Sequence, residues 1–107
     1  MIFIVVKFEV SEDFRESWPA ITEEFTAATR AEDGNLWFDW SRSLDNPSEY
    51  VLVEAFRDQR AGVAHVSSDH FAAGLAAMRP ALRATPRIVH ADISADGWSP
   101  MGELQID

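Results

Sequence analysis

The apolar positions of the chain follow two periods, and where one gives way to the other the elements begin and end. Residues 2–10 are β-branched and aromatic, and Lys7 and Glu9 alternate with Phe8 and Val10, which predicts a strand whose second half has one wetter face. Ser11 followed by Glu12 and Asp13 reads as an N-cap with acids in the first turn. Phe14, Trp18, Ile21, Phe25 and Ala28 then recur at spacings of 4, 3, 4 and 3, a single helical stripe. Pro19 lies inside that stripe and removes a backbone donor, at ~3 kcal/mol in a helix interior, so the helix is expected to bend or to restart there. Asp33-Gly34 closes the helical region. Residues 35–44 form a second strand with Trp37 on one face and Leu36, Phe38 and Trp40 on the other. Asp45-Asn46-Pro47-Ser48 is a turn, and 49–57 is the antiparallel partner strand, apolar on both faces. Asp58 caps a helix with Ala61, Ala64 and His65 facing inward. Ser67-Ser68-Asp69 interrupts it, and a second segment carries Phe71, Leu75, Met78 and Leu82, bounded by Pro80 and Pro86. Residues 87–94 are a fourth strand, and Asp96-Gly97-Trp98-Ser99-Pro100 opens a polar tail.

The order β-α-β-β-α-β is the split arrangement of a ferredoxin-like α+β sandwich, a four-stranded antiparallel sheet with both helical regions on one face. One domain over 1–94 and a tail over 95–107 account for the chain. The face without helices would carry apolar side chains from the central hairpin, so a second copy of the chain, docked sheet to sheet, is expected to cover it. The 107 residues include 12 aromatics, which such a homodimer core would absorb.

Charge and cysteine usage narrow the function. Nine basic against 18 acidic residues give a net charge of −9, a surface that repels phosphate backbones and anionic lipid, so neither nucleic acid nor membrane is an expected partner. With no cysteine there is no disulfide, thiolate metal site or thiol nucleophile. No targeting segment is recognised, and a cytoplasmic location is expected.

Candidate chemistry rests on few side chains. His65, His70 and His90 are the only side chains of the type whose unperturbed pKa lies near neutrality. His65 and His70 are five residues apart, a poor spacing for shared metal ligation on one regular helix, and no metal is expected. Glu54 shares a strand face with Leu52 and Phe56, so it is either ion-paired or has a raised pKa suited to proton transfer. Asp39 invites the same two readings. Trp37, Phe38, Trp40, Phe56 and Phe71 either line a pocket for a flat apolar ligand or simply form core.

The runs Glu54-Ala55-Phe56-Arg57-Asp58, Ala61 to Ala64, and His65-Val66-Ser67-Ser68-Asp69-His70-Phe71, with Gly34-Asn35-Leu36-Trp37-Phe38-Asp39 before them, resemble the signature of the antibiotic biosynthesis monooxygenase (ABM) domain family over about residues 1–94. The resemblance implies a dimeric α/β barrel of two ferredoxin-like units and one of several activities, among which fold does not choose. The neighbourhoods matching the haem-degrading members hold Val6 or Lys7, His65 and Leu75, without the haem-ligating histidine. Where the anthrone oxygenases use a Trp and an Asn on the third strand, this chain has Phe56 and Leu52. The small quinol-monooxygenase-like group matches at Asn35, Glu54, His65, Ser68 and His70. That likeness implies a cofactor-free monooxygenase acting on a small aromatic diol and dioxygen. His65 would be the base, with His70 the alternative. Glu54 would orient the base, Asn35 would anchor substrate oxygen, Ser68 would contribute to binding, and Trp37, Trp40, Phe56 and Phe71 would form the walls. A cofactor-free isomerase with Arg57, Arg42 or Lys7 converging on a phosphate, and a non-catalytic dimeric module, are the alternatives. Trp98 would serve as a lid or as a dimer clamp.

Overall fold

A computed structural model describes residues 1–107. Its four strands, β1 (Ile2–Glu9), β2 (Asn35–Arg42), β3 (Glu49–Phe56) and β4 (Arg87–Asp92), form one antiparallel sheet in the order β2-β3-β1-β4. This is the ferredoxin-like arrangement expected from the element order. Four helices, α1 (Trp18–Ile21), α2 (Glu23–Arg30), α3 (Gln59–Val66) and α4 (Asp69–Met78), supply the second layer.

Each break in the helical layer has a local cause. Pro19 occupies the first turn of α1, where its missing donor is harmless. The Thr22 hydroxyl donates to the Trp18 carbonyl at 2.9 Å, closing α1 before α2 starts. Asp58 caps α3 by accepting from the Ala61 amide at 2.9 Å. Ser68 does the same for α4, accepting from the Phe71 amide at 3.1 Å while its own hydroxyl donates to the His65 carbonyl at 2.6 Å. The two helices are thus hinged on one serine. Ser11 departs from expectation: it precedes a short 3-10 turn, Glu12–Phe14, and makes no side-chain cap. Its hydroxyl donates instead to the Ala81 carbonyl at 3.0 Å, because Val10 bridges to Leu82 and draws that segment alongside.

The core lies between the helices and one sheet face, where Val6, Phe8, Val10, Phe38, Tyr50 and Leu52 meet Trp18, Phe25 and Met78. Burying rings of this size contributes on the order of 2–3 kcal/mol each. Two glycines permit the packing. A Cβ on Gly74 would sit 2.6 Å from the Phe25 ring, and one on Gly34 would overlap the Ala61 methyl. Neither glycine has a positive φ, so both serve close approach rather than an unusual backbone.

Phe14, expected to open the helical stripe, is instead exposed at the end of the 3-10 turn, and three further positions differ from the periodic reading. A register shift between Asn35 and Trp37 turns Leu36 outward, so it leaves the face shared by Phe38 and Trp40. Ala64 is exposed, whereas Ala61 and His65, one turn apart, face inward. Leu75 is also exposed, and Met78, with Ala81 in a 3-10 turn after α4, does the burying on that side.

The opposite sheet face has no helix. Register places Phe3, Val5, Trp37, Val51, Val53, Val89 and Ala91 on it, and Trp98 from the tail packs against Trp37 with ring centroids 5.3 Å apart. No helix is long and apolar enough to cross a membrane.

Candidate active site

Under the helical layer, β3 carries Glu54 inward between Leu52 and Phe56, as strand alternation requires. Glu54 is 5% exposed, and its Oε1 has no hydrogen-bond partner. Burial in these apolar surroundings pushes its pKa up to about 7, with the nearby Glu32 carboxylate adding to the shift. Glu54 is therefore a carboxyl that exchanges its proton near neutrality.

His65, from the last turn of α3, stands directly over it, with Nε2 3.8 Å from Glu54 Oε1. Its imidazole is 4% exposed and packed among phenyl rings: Phe56 at 4.7 Å, Phe71 at 5.1 Å and Phe25 at 5.7 Å between centroids. The other ring nitrogen, Nδ1, is 2.8 Å from Glu32 Oε2. The same oxygen lies 2.5 Å from His70 Nε2. Glu32 follows α2 and precedes the Gly34 turn, so the close approach of α3 to that turn brings its carboxylate under both histidines. The outcome is a row of titratable groups running from the sheet to the surface of α4, in which His65, Glu32 and His70 are hydrogen-bonded and Glu54 stands 3.8 Å short of His65.

The line ends in a groove of about 590 Å³ between α2 and α4, walled by His70, Phe25, Ala28, Ala73, Gly74 and Ala77. That volume falls in the range of small-molecule sites, ~300–1,000 Å³. His70, with its side chain 29% exposed, is the member of the line that reaches it.

The family model for antibiotic biosynthesis monooxygenase matches residues 1–77, most of the chain and every residue of this line. The chain belongs to the antibiotic biosynthesis monooxygenase family. A Bacillus subtilis (strain 168) relative named "Putative monooxygenase YcnE" is 24% identical over 94 residues, covering 88% of this chain and 99% of its own. Rv0793 from Mycobacterium tuberculosis is 26% identical, with a TM-score of 0.80 over 90% of this chain and 98% of that one. A Caulobacter crescentus CB15 protein solved under the family's name is 24% identical, with a TM-score of 0.83 over 88% and 90%. The family model and the Bacillus relative both carry a monooxygenase name.

Within this antibiotic biosynthesis monooxygenase fold the expected site residues divide into two groups. Glu54, His65, His70, Phe56 and Phe71 come together, and Ser68 holds the hinge between the two histidines. Asn35, Trp37 and Trp40 stand apart. The Asn35 amide donates to the carbonyls of Trp37 and Ala55 at 3.1 and 3.3 Å, stitching the register shift in β2. Trp37 lies on the helix-free face, and the Trp40 indole donates to Thr26 Oγ1 at 2.9 Å among the core rings. Asp39 is exposed on the helix-free face and His90 on the edge strand β4.

Glu32 was missed from sequence. It sits in a loop, where no periodicity marks it. The signal that was available is the serine-rich break between the histidines: an unbroken helix turns ~100° per residue and would set residues five apart ~140° from each other around its axis. The break removes that separation, and with it the spacing argument against a shared ligand set.

Proposed function

We propose that the protein is a cofactor-independent monooxygenase of a small aromatic diol such as a quinol or naphthol. The observation that carries this reading is the chain of four titratable groups leading from a groove into an apolar, phenyl-walled interior. A phenol bound in the α2–α4 groove presents its hydroxyl to His70, the member of the line that reaches that space. Loss of the proton to the base leaves an aryl-oxide electron-rich enough to transfer one electron to dioxygen. The resulting radical pair joins through a carbon–oxygen bond, and loss of water leaves a new carbonyl or hydroxyl on the ring. One oxygen atom enters the product, the other leaves as water, and the substrate supplies all four electrons. His70 passes the proton by way of Glu32 toward His65, and Glu54, with its pKa of about 7, is poised to hold or return it. Apolar surroundings strengthen these proton transfers by excluding water. Of the two histidines offered by the sequence, the groove favours His70 as the group that touches substrate and leaves His65 as a buried relay.

A phosphorylated isomerase substrate finds less support. Arg57 is paired with Asp33, Arg42 with Glu16, and Lys7 with Glu49, at separate places on the surface. Glu23 and Glu24 border the groove instead.

The active unit in this reading is a homodimer. The apolar residues of the helix-free face, with Val89 72% exposed, form a patch of the kind that marks a protein–protein contact.

Oxygen uptake with a panel of quinols and naphthols tests the proposal. Uptake by wild type, lost in a folded His70→Ala variant and kept in His90→Ala, is expected. Uptake no faster than the buffer blank with every substrate overturns it.

A further inference from the structure

We infer that Glu32, His65 and His70 form a binding site for one divalent first-row transition ion of the zinc class. The donor set is two imidazoles and a carboxylate, the combination such ions prefer among nitrogen and oxygen ligands. The donor atoms, His65 Nδ1, His70 Nε2 and a Glu32 oxygen, all lie within 4.8 Å of one another. Bonds of ~2.0–2.1 Å in a tetrahedral site put ligand atoms ~3.3 Å apart. The two Glu32 contacts, 2.8 and 2.5 Å, would open by less than an ångström to reach that spacing.

Three further features fit an ion rather than a hydrogen-bonded trio alone. His65 turns Nδ1 to the cluster and Nε2 toward Glu54, whose buried Oε1 lacks a partner 3.8 Å away. A metal-bound imidazole that donates its other N–H to a carboxylate is the usual outer-shell arrangement, and it would satisfy that orphaned oxygen. The groove beside His70 is an entry path, and Glu23 and Glu24 at its border attract cations. Finally, the site is mostly enclosed, with Glu32 15% and His65 5% exposed at the side chain, which favours ligation over hydration of the ion.

The site goes beyond the proposed oxygenation and does not depend on it. An ion bound between His70 Nε2 and Glu32 breaks the contact that would carry a substrate proton inward, so ion occupancy and the proton relay exclude each other. Binding is read without turnover, and either idea can fail alone.

The test is titration of chelator-stripped protein with zinc by calorimetry and with cobalt(II) by visible absorption. One ion per chain is expected, with ligand-field bands of a low-coordinate cobalt site. His70→Ala and Glu32→Gln should each weaken binding at least tenfold, while His90→Ala binds as wild type. Glu54→Gln should weaken it by about tenfold, as loss of outer-shell partners does. In the unaltered protein, zinc should move the imidazole nitrogen resonances of His65 and His70, which needs no variant to fold. No saturable binding, equal affinity in His70→Ala and Glu32→Gln, or resonance shifts confined to His90 would each overturn the site.

Discussion

Replacing Glu54 by glutamine keeps the side chain's shape and removes the charge that burial penalises. In the folded chain this carboxyl loses its proton at about 7, against 4.5 ordinarily. Each pKa unit corresponds to ~1.4 kcal/mol. Because the folded value is the higher one, the folded state holds the proton more tightly than the unfolded state. Below pH ~4.5 the group is neutral in both states and has no effect. From there to about pH 7 each step up in pH erodes stability, and above 7 the loss is complete at ~3 kcal/mol. Glu54→Gln has no such titration, so its stability relative to wild type should rise by ~2–3 kcal/mol between pH 5 and pH 8. Urea unfolding of both proteins at one protein concentration, followed by tryptophan fluorescence, measures that difference directly. Glu32→Gln should reproduce only the smaller part of it, since burial outranks the Glu32 charge as the cause of the shift. Parallel pH profiles for wild type and Glu54→Gln would refute the reasoning. Equal effects of the two substitutions would show that charge repulsion, not desolvation, sets the proton affinity.

Two other outcomes follow from packing. Ser68→Ala removes the cap of α4 and the bond to the His65 carbonyl, and should cost about 1 kcal/mol, seen as a lower Tm with the secondary structure retained. Sedimentation should show wild type at twice the 12.0 kDa chain mass, and Val53→Asp, which puts a charge in the middle of the helix-free face, should sediment as a monomer at the same concentration.

Periodicity carried the fold well because each element's pattern agrees with its neighbours. The stripe from Trp18 to Phe25, the proline restart and the hairpin turn at 45–48 all stand where alternation and helix spacing put them. It failed where one residue is added or a hydroxyl has a nearer partner: Leu36 at the register shift, Ser11 beside Ala81. The site was half legible. Glu54 announced itself as a carboxylate on an apolar strand face, and the histidine pair stood out by scarcity. Glu32 could not, because only the folded approach of α3 to the Gly34 turn selects it from 18 acidic residues. Asn35 was misleading for a related reason: a polar side chain at a strand start looks free until the backbone carbonyls it must satisfy are known.

Trp98 against Trp37 gives the molecule an optical gauge of its own. Of four tryptophans, Trp18 is sealed in the core and Trp40 is tied to Thr26, so neither reports on the helix-free face. The Trp37–Trp98 pair does, at 5.3 Å, with Trp98 76% exposed. Lifting the tail, or pressing another surface over it, changes the emission of these two rings alone. Subtracting the spectrum of a Trp98→Phe variant would isolate the signal, and the position of the tail, residues 95–107, could then be followed in solution without any added label.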